Sequence, residues 1–193
     1  MLKIGLTGGI GSGKSTVSKI FSSMGIPVFE ADQVGREVLE WPEVRTELEK
    51  LFGSEVVRDG QVNRAHIASV VFDNQEILEE LNAIVHPRVG KAFNEWCAQE
   101  KCTYIIKEAA IIFEAGTQDS LDGVILVSAP EKLRIERVMQ RDGVSQEQVQ
   151  ARMRNQWPEE RKREMSDYEL INDGKLGLIP QVMDLHTKLM KLK

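Results

Sequence analysis

The sequence predicts an α/β fold: a parallel sheet of five strands flanked by helices, interrupted by a helical insertion and then by a shorter, basic helical excursion. Three observations predict it. Short apolar β-type runs alternate with helical patterns. The first of those runs leads directly into a glycine-rich turn and then a helix. Residues of about 33–100 break the alternation with helical pattern alone. Strands separated by helices imply right-handed βαβ units, and hence a parallel sheet.

The first strand is Leu2 to Thr7, short and apolar. Ser15 to Met24 follows as a helix, because Val17, Ile20, Phe21 and Met24 recur at helical spacing, and Gly25 suits its C-terminal cap. Ile26-Pro27-Val28-Phe29 reads as the second strand, Thr103 to Lys107 as the third, Val124 to Ser128 as the fourth and Tyr168 to Ile171 as the fifth. Within the insertion, Arg58-Asp59-Gly60 marks a turn, and Ile77, Leu78, Leu81, Ile84 and Val85 form an apolar stripe that reads as core. Residues 131–165 read as helical and basic. A last helix of roughly Gly177 to Leu192 gathers Leu178, Ile179, Val182, Leu185, Leu189 and Leu192 on one side, ready to pack on the sheet.

The 193 residues suit one compact domain, or one with insertions, and a 41% hydrophobic share is enough for its core. No apolar run approaches the roughly 18–20 residues that cross a bilayer. Met1 to Gly5 lacks a basic leader and reads as part of the first strand, so a cytoplasmic protein without a membrane partner is expected. Cys97 and Cys102 fit no metal or redox spacing and read as free thiols, and His66, His86 and His186 are scattered. A net charge of −5 speaks against a nucleic-acid partner. Residues 132–163 nevertheless hold nine basic and five acidic side chains, a net +4 that leaves −9 for the rest. A local arginine-rich segment on an acidic chain suits a small polyphosphate.

Gly8-Gly9-Ile10-Gly11-Ser12-Gly13-Lys14-Ser15 fits G-x-x-x-x-G-K-[ST] and lies between a strand and a helix, as that phosphate loop requires. A triphosphate needs many donors in a tight arc, and backbone N–H groups supply them where glycines free the chain. The helix that follows adds its positive end. Lys14 is the residue for the β and γ phosphates, and the Ser15 hydroxyl is a ligand for Mg²⁺. The third glycine of a dinucleotide fingerprint is missing, because Lys14 stands in its place.

Asp32 follows the second strand, as the loop follows the first, so both belong to the carboxyl edge where ligands bind in parallel sheets. A carboxylate there can accept the proton of an attacking hydroxyl, can anchor a metal-bound water, or can simply cap the next helix. Glu30 is a weaker candidate. Arg134, Arg137 and Arg141 recur at helical spacing after the fourth strand and can neutralise transferring phosphate or form a solvated face. Neither the third strand, ending Lys107-Glu108, nor the fourth, ending Ser128-Ala129-Pro130, carries a Walker B aspartate. The metal then falls to Ser15, the phosphates and water, with Glu108 or Asp32 behind them.

Together these residues resemble the dephospho-coenzyme A kinases, a family of P-loop kinases. The run Ile4 to Val17 is similar to that family's opening. Glu30-Ala31-Asp32, the His86-Pro87 segment, Glu108 to Glu114, Arg137 to Gly143 with Arg152 and Gln156, and Asp167 to Asn172 match its later elements in order. Glu30 and Glu108 stand for aspartates and Ala110 for a proline. The resemblance implies a P-loop kinase-like core of about 1–32, 101–130 and 166–193, a CoA-binding helical insertion of about 33–100 and a lid of about 131–165. It implies transfer of the ATP γ phosphate to the ribose 3′-hydroxyl of dephospho-CoA, with Mg²⁺, giving CoA and ADP. It makes Asp32 the base, with Lys14, Arg137 and Arg141 as the other catalytic residues. ATP falls to Gly8, Gly9, Gly11, Ser12, Gly13, Lys14, Ser15, Thr16 and Asn172. The acceptor falls to Asp32, His86 and Glu108, on a monomer or small homo-oligomer. The competing readings are a P-loop kinase for a nucleoside monophosphate or sugar acid, and a nucleotide-dependent switch. The switch lacks D-x-x-G and N-K-x-D here.

Overall fold

The computed structural model describes residues 1–71 and 74–192. Two compact units emerge, Met1–Glu30 with Glu100–Lys193, and Ala31–Gln99.

The first unit begins with β1 (Leu2–Thr7), α1 (Lys14–Ser23) and β2 (Val28–Glu30). The second holds α2 (Ala31–Val38), α3 (Pro42–Phe52), the two-residue strands β3 (Val57–Arg58) and β4 (Gln61–Val62), α4 (Arg64–Val71) and α5 (Gln75–Gln99). The first unit then resumes with β5 (Tyr104–Glu108), β6 (Gly123–Ser128), α6 (Glu131–Asp142), α7 (Gln146–Arg154), α8 (Glu159–Met165), β7 (Tyr168–Ile171) and α9 (Leu178–Leu189). No helix among the described residues is long and apolar enough to cross a membrane.

The five strands of the first unit form one parallel sheet in the order β2-β5-β1-β6-β7. β1 is central, bonded to β5 on one side and β6 on the other. All six residues of β6 are buried, and Tyr104, Ile105 and Ile106 of β5 are fully so, as strands covered on both faces demand. Val17 and Phe21 of α1 and Val182, Leu185 and Leu189 of α9 pack on one face of the sheet against Ile4, Leu6 and Ile106. Burying each such side chain is worth about 1.5–3 kcal/mol, so this layer, more than any turn, holds the loop after β1 in place. β7 is one edge strand, β2 the other, and the Gln181 side chain of α9 bonds both the N–H and the C=O of Ile171, at 2.8 and 2.9 Å.

Several sequence expectations shift. β2 starts at Val28 because Pro27 has no N–H to give, although its carbonyl accepts from Ile106 N–H at 3.0 Å. α9 closes at Leu189, short of Leu192. His86 and Pro87 both lie inside the 25-residue α5, although a proline commonly ends a helix. A proline there removes one intrahelical bond, but Val89, Phe93 and Cys97 further along carry the buried face of the helix and hold it together. The stripe from Ile77 to Val85 is correspondingly half-buried rather than core. The Asp59-Gly60 turn is present, both residues left-handed (φ 53° and 76°), joining β3 to β4.

Candidate nucleotide and phosphoryl-transfer site

The glycine-rich loop leaves the carboxyl end of β1, the best-supported strand of the sheet, and delivers the chain into α1. Gly13 has φ 97°, a left-handed value that side-chain-bearing residues rarely adopt, and a Cβ there would strike the Asn172 amide. Gly9 is required for a different reason: its missing Cβ is where Nη1 of Arg134 lies. No side chain caps the N-terminus of α1 and no acid occupies its first turn, so its N–H groups and positive end suit an anion.

Lys14 folds back over the loop, its ammonium 3.0 Å from the carbonyl of Gly8 and 3.9 Å from Oε1 of Glu108. Both side chains are mostly buried, at 12% and 13% exposure, which strengthens their interaction. Glu108 ends β5 in register with Glu30 at the end of β2. Ser15 and Thr16 are exposed on the first turn of α1, whereas Ser12 is fully buried and its hydroxyl lacks a hydrogen-bond partner.

The loop is braced from outside. Asn172 donates from Nδ2 to the Ser12 carbonyl at 2.7 Å, and Arg137 donates to the Asn172 carbonyl and Oδ1, both at 3.2 Å, and to the Gly11 carbonyl at 3.4 Å. Gln156 accepts from the N–H of Ile10 at 2.9 Å. Arg134 is 8% exposed, its Nε 3.8 Å from Glu159, whose other contacts include the Ala129 N–H and Arg163. A second buried bracket lies nearby. Lys162, with no exposed surface, pairs with Glu114 at 2.7 Å and donates to the Ala110 carbonyl at 3.0 Å, which also accepts from Thr7 at the end of β1. The same Glu114 oxygen accepts the Trp157 N–H at 2.9 Å. Arg161 stacks 3.3 Å above the Trp157 ring. A cavity of about 740 Å³ between α6, α7 and α8 is lined by Arg134, Met153, Gln156 and Trp157, and by no residue of the loop.

Arg141 stands elsewhere: it is exposed and paired with Asp142 at 2.7 Å, which also accepts from Arg152 at 2.8 Å. The hydrogen bond from Arg141, reinforced by Arg152, holds the Asp142 carboxyl at about 2, below its ordinary 3.8. A depressed carboxylate stabilises the fold above its unfolded value and loses that contribution as the pH falls from about 4 through about 2. The arginines are 62% and 47% exposed, so the effect on stability is small and screened by salt. A carboxyl NMR titration should place the Asp142 midpoint near 2, and Arg152→Gln should raise it.

The first unit therefore gathers Gly8, Gly9, Gly11, Ser12, Gly13, Lys14, Ser15, Thr16, Glu108, Arg137 and Asn172. Asp32 and His86 belong to the second unit, on α2 and α5, which pack together. Asp32 is the second residue of α2, inside the first turn rather than before it, so it is not the residue preceding the helix that an N-cap would be. Sequence reasoning missed Gln156 as a loop contact, Arg134 as a buried guanidinium and Lys162 as a buried ammonium. A signal for Lys162 existed in Glu114, an acid set in the apolar run Ile111-Ile112-Phe113, which calls for a cation nearby.

Such a loop binds nucleoside triphosphate phosphates. Among the described residues no group of three His, Cys, Asp or Glu side chains is arranged to hold a metal. A family model described as dephospho-CoA kinase matches residues 2–177. A Bacteroides fragilis dephospho-CoA kinase is 41% identical over 186 residues, 95% of this chain and 91% of its own. A crystal structure of a Thermus thermophilus protein superposes with TM-score 0.88 at 37% identity, over 100% of this chain and 98% of the other. A Campylobacter jejuni dephospho-CoA kinase superposes with TM-score 0.73 at 26% identity, over 98% and 97%.

Proposed function

This chain belongs to the dephospho-CoA kinase family, and on that premise we propose how its residues divide the ATP-dependent phosphorylation of dephospho-CoA. The observation that carries the reading is the braced Gly8–Ser15 loop on the central strand, with Lys14 and Glu108 side by side at the strand ends. The acceptor atom is the ribose 3′-hydroxyl and the products are CoA and ADP, the last step of CoA synthesis. The loop amides and the end of α1 bind the triphosphate, and Lys14 turns from the Gly8 carbonyl to the β and γ phosphates. Ser15 is the residue that would hold Mg²⁺, which when bound neutralises charge between the β and γ phosphates.

Asp32 accepts the proton of the 3′-hydroxyl as that oxygen attacks the γ phosphorus. The bond from phosphorus to the ADP oxygen breaks, and ADP keeps the electron pair. Arg137 and Asn172 preserve the loop's shape, Arg141 serves the phosphates from the lid of about 131–165, and His86 and Glu108 serve the acceptor. The insertion of about 33–100 binds CoA.

A coupled ADP-release assay tests the reading. With ATP and Mg²⁺, dephospho-CoA should drive turnover, while AMP, shikimate and gluconate should each give at least about a hundredfold less, the discrimination a site gains when buried polar groups go unpaired with the wrong acceptor. Absence of ADP release with dephospho-CoA would overturn it, and preference for one of the other acceptors would name the replacement.

A further inference from the structure

Besides the Arg137 bond to the Gly11 carbonyl, the phosphate loop is joined to the helices after β6 through Ile10. Its side chain packs into a small apolar cluster of Ile135, Val138 and Val149, with Met153 alongside, so it is a plug between α6 and α7. Its N–H is taken by Gln156, just past the end of α7, at 2.9 Å. That amide is therefore turned outward, away from the arc of donors. Gly9 and Gly11 flank it, and each presses on Arg134, one on its guanidinium and the other on its backbone. The loop apex is thus held on one side by the helices that sequence reasoning treats as a lid.

We infer that Gln156 is a positioning residue for ATP, and that residues 134–138 and 149–156 are a fixed buttress of the phosphate loop rather than part of a freely swinging lid. This rests on the reading that the loop binds ATP. The physical reason is preorganisation. A loop with four glycines in eight residues has many conformations to lose on binding, and each restraint present before ATP arrives removes part of that cost. Gln156 supplies such a restraint, and the Ile10 plug makes it cooperative with the packing of α6 on α7. Motion over the bound nucleotide is then confined to the exposed residues Arg141 to Gly143, since Val144 packs against the same cluster. The loop's affinity for phosphate depends on how α7 is seated.

Gln156→Leu keeps the bulk and removes the acceptor. ADP affinity, measured by calorimetry, is expected to fall about 5- to 30-fold, the range for one lost hydrogen bond to a part-buried amide. The KM for ATP should rise in step, with the acceptor KM and kcat within about threefold. Hydrogen exchange of the Ile10 amide should lose its protection, and Gln156→Glu, which retains an acceptor, should restore it. Should Gln156→Leu fail to fold, Gln156→Asn, whose amide falls one methylene short, answers the same question. Unchanged ADP affinity overturns the inference. So does an Ile10 amide that stays protected, or a loss of thermal stability that weakens ATP and acceptor alike. ADP binding needs no acceptor, so failure here is distinguishable from failure of the acceptor assignment.

Discussion

Asparagine in place of Asp32 is expected to lower kcat by about 10²–10⁴ with the KM for ATP held within a few-fold. This is the usual size of a general-base contribution, about 2.7–5.5 kcal/mol. The reasoning is chemical. A ribose hydroxyl at neutral pH is a poor nucleophile, and its proton must leave as the phosphorus–oxygen bond forms. Asparagine matches aspartate in shape but cannot take that proton. On the proposed reading ATP falls to the loop amides and Lys14, in the other unit of the chain, so ground-state nucleotide binding is expected to survive the change. Steady-state kinetics at fixed, saturating Mg²⁺ read the loss. A variant that recovers when Mg²⁺ is raised assigns Asp32 to anchoring a metal-bound water instead. A variant with near-native kcat at ordinary Mg²⁺ removes it from the chemistry altogether.

The largest expected effect on stability lies at Lys162. Lys162→Met removes the ammonium and leaves Glu114, 13% exposed, with no cation and with an oxygen that already lacks a partner. Breaking a buried pair from one side costs about 3–5 kcal/mol, because the remaining charge has lost both water and its counter-ion. For a chain of this length that is a fall in Tm of roughly 6–20 °C. Glu114→Leu combined with Lys162→Met should recover most of it, since neither charge is then stranded. Differential scanning calorimetry of the single and double variants checks both statements. A single variant within about 1 kcal/mol of the parent would show that no charge is stranded at Glu114.

These two residues also show what sequence reasoning reaches. β1, β5, β6 and β7 were visible because each is a short apolar run bounded by turn residues, and the loop was visible because its chemistry is contiguous. Asp32 was nameable because it directly follows a strand. Lys162 was not, because its partner lies 48 positions away and its own neighbours are charged, so it read as one more member of a basic face. Arg134 and Arg141 looked equivalent at helical spacing, yet one is buried against Gly9 and the other is in solvent. Their difference is set by where α6 crosses the loop, which no spacing encodes. Pro87 shows the reverse: the local rule against proline in a helix is sound, and packing further along α5 outweighs it.

The edge strand β7 has a further consequence. A parallel sheet that ends in an open strand offers a row of unpaired amides and carbonyls to any other chain, and such edges recruit foreign strands into aggregates. Here the outward-facing groups of Ile171 are already occupied by the Gln181 carboxamide, which imitates one peptide unit of a sixth strand. The protein thus terminates its sheet with a side chain. At Ile171 the sheet gives neither a second copy nor a misfolded neighbour a free place to add on.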